Sequence, residues 1–271
     1  MSKVQRHQQE LQLIFPELIQ TKDEKKLNDY LLANSNLPGR RGNLELAKAF
    51  TIVIREYWES HEDLLWNYLR SIINITPDQA PTNNPQEFFP FCATWAVGTV
   101  GSISISHYKE SLTLLKKMAN DSRWRIREAV ANGIQELLIV NRDETIEEIK
   151  TWIFDDQWLL MRGVVTGVAD PKLLQDDHLS NQALKLHKMV LNQVMSCNNR
   201  KREDFRILRK GLAYSLSVVV QSNPEEGFTY LKELATSQDN DILWILKQNL
   251  KKNRLTKNYP FKIKEITKQL K

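Results

Sequence analysis

A four-fold internal repeat constrains the fold of this 271-residue chain more than any other feature. In each copy an acidic residue stands six positions before a basic residue, and an apolar residue directly precedes the base. Successive bases are 35, 47 and 38 positions apart, so each interval has room for one further helix. A fixed period of roughly 20 to 50 residues indicates an array of stacked structural units. The four pairs are Asp121 and Arg127, Asp156 and Arg162, Glu203 and Arg209, and Asp241 and Lys247.

The residues between these pairs have the pattern of amphipathic helices. Apolar residues recur at i, i+3, i+4 and i+7 almost throughout, as they do over residues 242–250. The chain has only nine Gly and nine Pro, which favours helices joined by short loops. Gly-bounded runs of Val, Thr and Tyr, which strands would need, are scarce. The sequence therefore predicts an all-α protein with about a dozen or more helices.

The four segments resemble HEAT repeats, in which an Asp in the turn inside each unit and an Arg on its second helix recur. This resemblance implies a single α-solenoid domain over residues 1–271, wound as a right-handed α-α superhelix whose concave face is lined by the second helices of the repeats. Residues 106–255 carry the clear repeats, and residues 256–271 are interpreted as a basic C-terminal helix. Residues 1–105 are interpreted as degenerate or capping helical repeats, or as an unrelated helical cap.

Positive charge is concentrated at the C-terminal end of the chain. Residues 247–271 contain nine basic residues and one acid, a net charge of +8, whereas the whole chain has a net charge of +5. A basic region of this kind attracts anionic partners, although it does not name one. We therefore expect the partner to be either a protein segment or a nucleic acid.

The repeat bases, together with extra basic residues and Trp residues beside them, are the candidates for a partner-binding groove. The repeat bases could contact phosphates or carboxylates of a partner. Alternatively, acids and bases of neighbouring units could pair with one another as a structural ladder. The predicted groove residues are Arg123, Trp124, Arg125, Arg127, Trp158, Arg162, Arg206, Arg209, Lys210, Lys247, Lys251 and Arg254.

The segment WIFDDQW, residues 152–158, supports a second hypothesis. A concave cleft with Trp faces, basic residues and one carboxylate is similar in architecture to HEAT-like alkylpurine DNA glycosylases. That resemblance implies a carboxylate beside the sugar and aromatic faces that favour a cationic base. Asp155 and Asp156 are the candidate carboxylates, with Trp124, Trp152 and Trp158 as the aromatic side chains. Each also has a structural interpretation, as a helix cap, a repeat acid or a core residue.

Motifs for other chemistry are missing from the sequence. The phosphate-binding and nucleophile motifs GxxxxGK[ST], GxGxxG and GxSxG do not occur. Neither Cys92 nor Cys197 belongs to a CxxC pair, and the five histidines lack metal-ligand spacing such as HxxxH. We therefore expect no metal and no cofactor, and we predict a non-catalytic binding or scaffold protein, with DNA repair as the alternative.

Hydropathy predicts a protein that does not enter a membrane. The first twenty residues mix charged and amide side chains with spaced apolar ones, so they lack the unbroken apolar core of a signal peptide. No segment approaches the roughly eighteen consecutive apolar residues of a membrane span. Together with the two unpaired cysteines, this pattern predicts a cytoplasmic protein.

Overall fold

The computed structural model describes residues 1–154, 156–197 and 199–270. This part of the chain contains fourteen α-helices, the short 3-10 helices Pro85–Glu87 and Leu173–Gln175, and no strand. The all-α prediction is therefore confirmed. The chain divides into two compact units, unit 1 over Met1–Val140 and unit 2 over Asn141–Lys271. The single-domain solenoid stays a prediction.

Unit 1 is built around a row of four helices that pack against one another in chain order. The row is α1 (Lys3–Thr21), α3 (Leu44–Ile73), α4 (Phe88–Ile103) and α6 (Trp124–Val140). Two further helices lie beside it: α2 (Lys25–Ala33) packs against α1 and α4, and α5 (Ile105–Ala119) packs against α4 and α6. Helix α3 bends at His61, whose φ of −142° and ψ of 34° lie outside the helical region.

Helix α4 is the centre of unit 1. All of its residues except Trp95 and Ile103 are buried, because the segment FFPFCATWAVGTVGSI is apolar or small on every side. Its closest neighbour is α6, and the two backbones meet at Gly98 and Gly133. A Cβ atom at Gly98 would lie 2.3 Å from the Cα atom of Gly133. Glycine is therefore required at Gly98 by the separation of the two helices.

Unit 2 contains the helices that follow three of the four repeat turns. These helices, α8 (Trp158–Gly167), α10 (Glu203–Ser222) and α12 (Asn240–Leu250), pack side by side in that order. The preceding helix of each repeat is α7 (Arg142–Lys150), α9 (Asp177–Ser196) or α11 (Pro224–Ala235), and the chain continues through α13 (Asn253–Thr256) and α14 (Pro260–Gln269). Aspartates cap the N-termini of two of these helices. The Asp176 carboxylate accepts a hydrogen bond from the Leu179 amide of α9, and the Asp239 carboxylate accepts one from the Ile242 amide of α12.

A buried histidine joins α9 to α10. His187 has no exposed surface; its Nδ1 donates to the Ala183 carbonyl oxygen, and its Nε2 accepts from the Ser215 hydroxyl, both at 2.8 Å. Burial lowers the pKa of His187 from 6.5 to about 4, because the charged imidazolium would lose its hydration, and the bond to the Ala183 carbonyl opposes this shift only in part. The folded protein therefore keeps this imidazole neutral.

The neutral state of His187 gives the stability of unit 2 a predicted pH dependence. The unfolded chain binds a proton at His187 that the folded chain excludes. The contribution of His187 to the free energy of unfolding is therefore fully present above pH 6.5 and is lost as the pH falls toward about 4. The expected slope approaches about 1.4 kcal/mol per pH unit within this window. Urea unfolding at several pH values would measure it, and His187→Gln should remove most of the slope. A variant that kept the wild-type slope would contradict the assignment.

Candidate anion-binding surface

Arg123, a predicted groove residue of unit 1, is buried. Only 2% of it is exposed, and its guanidinium makes two bonds to the Asp121 carboxylate, at 2.9 and 2.7 Å. It also donates to the carbonyl oxygens of Ile75 at 2.9 Å and Ala80 at 3.2 Å. Arg123 therefore fastens the loop after α3 to the start of α6, and its guanidinium is not accessible to a partner.

Arg125 has a similar structural role. Its Nη1 atom donates to the buried Glu87 carboxylate at 2.9 Å, and its Nη2 atom donates to the Gly39 carbonyl oxygen at 2.6 Å. The guanidinium also lies 4.4 Å from the centroid of the Trp124 ring. Trp124 is 43% exposed, so Trp124 is accessible to a partner, whereas Arg125 is not.

Three more predicted groove residues are also buried. Arg127 donates to the Asp121 carbonyl oxygen, which holds it against the turn before its own helix. The side-chain stem of Arg162, on α8, lies beside α10, where it faces Gly211. The Trp158 ring packs edge-on against the Phe205 ring at 5.3 Å. These three side chains are therefore not accessible to a partner.

One rung of the expected acid–base ladder is present between neighbouring repeats of unit 2. Arg209 of α10 pairs with Asp241, the repeat acid at the start of α12. Asp241 is also 3.4 Å from Arg200, which bonds more closely to Asp239 at 2.6 Å. The same Arg209 guanidinium lies 4.3 Å from the centroid of the Trp244 ring. Arg209 thus links two repeats and also covers an aromatic ring.

The remaining predicted groove residues lie on an outward face of unit 2. On α10, Arg206, Lys210 and Tyr214 are spaced i, i+4 and i+8, which places them on one side of the helix, and all three are exposed. On α12 and at the residue that follows it, exposed or half-buried residues recur over 244–251, and α10 contacts both α12 and α13. We call this set the unit-2 basic surface: Arg206, Arg209, Lys210, Tyr214, Trp244, Lys247, Lys251, Lys252 and Arg254.

Tyr214 belongs to this surface although it is not among the predicted groove residues, as is also true of Trp244 and Lys252. Its side chain is 49% exposed, and its hydroxyl accepts a hydrogen bond from Arg254 Nη2 at 2.9 Å. The Arg254 guanidinium and the Lys252 ammonium lie 4.8 and 5.7 Å from its ring centroid. The i, i+4 spacing from Lys210 could have indicated from the sequence that Tyr214 lies on this surface. Its contact with Arg254, forty residues away, could not be predicted from the sequence.

Most of the cations on the unit-2 basic surface have no carboxylate partner within the described part of the chain. Within the described residues, Lys210, Lys247 and Lys251 form no ion pair, and Arg206 reaches Glu203 only at 3.5 Å with both side chains exposed. Exposed pairs of this kind contribute little. The surface can therefore offer several hydrated cations to an anionic partner.

The two Trp residues that the glycosylase hypothesis takes from the segment WIFDDQW do not lie on the surface of unit 2. Asp155 lies outside the described residues. Asp156 has a left-handed backbone with φ of 58°, and its Oδ1 atom accepts a hydrogen bond from Cys197 Sγ at 3.3 Å. Trp152 and Trp158 are both buried in the core, so neither can present a ring face to an unstacked base.

Unit 1 contains a charged cluster that the sequence did not reveal. Glu136 of α6 is nearly buried, and its carboxylate accepts from Lys48 at 2.5 Å, from Trp95 Nε1 at 3.2 Å and from Arg55 at 3.3 Å. Arg55 also donates to the Ser102 hydroxyl at 3.1 Å. The cluster ties α3, α4 and α6 together, and both oxygens of Glu136 are engaged.

Among the described residues, no group of three or more His, Cys, Asp or Glu side chains could hold a metal ion. None of the described helices is both long and apolar enough to cross a membrane.

Comparisons with known proteins do not identify this chain. No family model matches the sequence, and no curated protein matches it at a significant level. Among solved structures, the crystal structure of an engineered protein is similar over 98% of this chain and 98% of its own, with 12% sequence identity and a TM-score of 0.34. Similarity at this level supports no functional argument.

Proposed function

We propose that this chain is a non-catalytic binding protein of the HEAT type, and that the unit-2 basic surface holds an extended, negatively charged partner. The observation that carries the proposal is a set of exposed cations, Lys210, Lys247 and Lys251, that have no carboxylate partner among the described residues and lie beside two aromatic rings. Such cations bind phosphates or carboxylates by releasing counterions into solution.

The sequence repeat and the packing of unit 2 both support a HEAT-type architecture. Helices α8, α10 and α12, which follow three of the four repeat turns, lie side by side, and α9 and α11 pack against this row. A row of second helices gives a continuous surface on which many weak contacts can add up. The right-handed superhelix over residues 1–271 remains part of this proposal and rests on the repeat in the sequence.

Removing exposed cations from the surface should weaken binding to a polyanion without unfolding the protein. We expect wild-type protein to bind a base-free deoxyribose-phosphate strand, with affinity that falls steeply between about 50 and 200 mM salt. Replacing Arg206, Lys210, Lys247 and Lys251 together with Gln should lower the slope of log Kd against log salt by about 3, since each single-strand phosphate contact contributes roughly 0.7. Fluorescence anisotropy with a labelled strand measures both quantities.

A matched control separates local contacts from net charge. Four exposed bases of unit 1, again one Arg and three Lys, can be replaced with Gln in the same way: Lys3, Lys25, Arg41 and Lys109. This variant has the same net charge as the first and should keep more of the wild-type salt slope. Equal loss in both variants, or no binding by wild type at low salt, would overturn the proposed surface.

A further inference from the structure

We infer that the partner of the unit-2 basic surface is a single-stranded nucleic acid, whose phosphates contact the exposed lysines while its bases stack on Tyr214 and Trp244. This inference rests on the proposed function, because it names the partner of the same surface. It goes further by assigning a role to two aromatic rings that a purely electrostatic surface would not need.

The two rings are positioned among the cations rather than apart from them. Tyr214 lies on the same side of α10 as Lys210, one helical turn away. Trp244, which is half-buried, lies on the same side of α12 as Lys247 at i+3, and Lys251, at i+7, directly follows the last residue of the helix. Proteins that bind single strands combine a positively charged path for the backbone with aromatic platforms for the bases. Both components occur here on adjacent helices.

Each ring is held in place by an arginine. The Arg209 guanidinium lies 4.3 Å from the Trp244 ring centroid and is itself fixed by its ion pair with Asp241. Arg254 lies 4.8 Å from the Tyr214 ring centroid and hydrogen-bonds the Tyr214 hydroxyl. A fixed ring loses little conformational freedom when a base stacks on it, and guanidinium planes can stack bases as well.

A single strand fits this surface better than a duplex or an acidic protein segment. In a duplex the bases stack on one another and expose only their edges in the grooves. An acidic segment has carboxylates for the lysines, but its Asp and Glu side chains have no flat ring to place against Tyr214 or Trp244. Only an unpaired strand offers phosphates and open base faces together.

The experiment compares strands that differ only in their bases. A thymidine strand of about 15 nucleotides, long enough for several contacts, is tested beside a base-free strand of the same length, the corresponding duplex and poly-glutamate at one salt concentration. We expect the thymidine strand to bind at least about ten-fold more tightly than the base-free strand, because each stacked base contributes roughly five-fold or more. Equal affinity for the two strands, or tighter binding of the duplex or of poly-glutamate, would overturn the inference while leaving polyanion binding in place.

Ring substitutions test the same inference from the protein side. Tyr214→Leu combined with Trp244→Leu should lower thymidine-strand affinity by about ten-fold or more and leave base-free-strand affinity within about two-fold. Tyr214→Phe retains the ring but loses the hydroxyl bond to Arg254, so it should bind the thymidine strand nearly as wild type does. Thermal unfolding of each variant confirms that it is folded. If the Leu variant lost affinity for both strands equally, the rings would have no stacking role.

Discussion

Replacing Arg123 with Ala is expected to destabilise the protein by about 3–5 kcal/mol, the cost of leaving one member of a buried ion pair without its partner. Asp121 is only slightly exposed and would lose two hydrogen bonds, and the carbonyl oxygens of Ile75 and Ala80 would lose their donor. The loop after α3 would also lose its attachment to α6. This loss is a large share of the roughly 5–15 kcal/mol that holds a typical domain folded.

Urea unfolding followed by circular dichroism would measure the effect of Arg123→Ala. Arg206→Ala is the matched control, because it removes the same side chain from a position that is 62% exposed and paired only at 3.5 Å. Its expected effect lies within about 0.5 kcal/mol. A small effect at Arg123, comparable to that at Arg206, would mean that Arg123 is not a structural residue and would restore it as a binding candidate.

Gly98→Ala is expected to destabilise unit 1 by about 3 kcal/mol or more, at or above the upper end of the usual cost of overpacking a core. The new Cβ atom would lie 2.3, 2.4 and 2.6 Å from the Cα, carbonyl oxygen and carbonyl carbon of Gly133. These are backbone atoms, so no side-chain rotation can relieve the overlap, and α4 and α6 would have to move apart.

Gly211→Ala provides the control for this prediction. Gly211 is also inside a helix, but a Cβ atom there would meet only side-chain carbons, Cγ of Arg162 at 3.4 Å and Cγ2 of Thr166 at 3.7 Å. Alanine favours the helix by up to about 1 kcal/mol relative to glycine, so this variant should be neutral or slightly more stable. Thermal unfolding of the two variants tests the difference, and equal stability would show that α4 and α6 can separate without cost.

The sequence by itself determined the helical class and the positions of the helices around each repeat turn. The reason is local: apolar periodicity and an acid close to the start of the helix are properties of consecutive residues. Helices α6, α8, α10 and α12 accordingly begin close to the repeat acids Asp121, Asp156, Glu203 and Asp241. The concentration of positive charge toward the C-terminal end was likewise readable from the chain alone.

Only the tertiary structure decided which basic residues are available to a partner. Arg123 and Arg206 both stand within three residues of a repeat acid, so their local sequences give no reason to separate them. Arg123 is buried because the loop after α3, more than forty residues earlier in the chain, folds over it. Arg206 is exposed because no segment covers that side of α10 in the described part of the chain. Burial depends on contacts between segments that are distant in the chain. The spacing of neighbouring residues does not determine which distant segment packs over a given side chain.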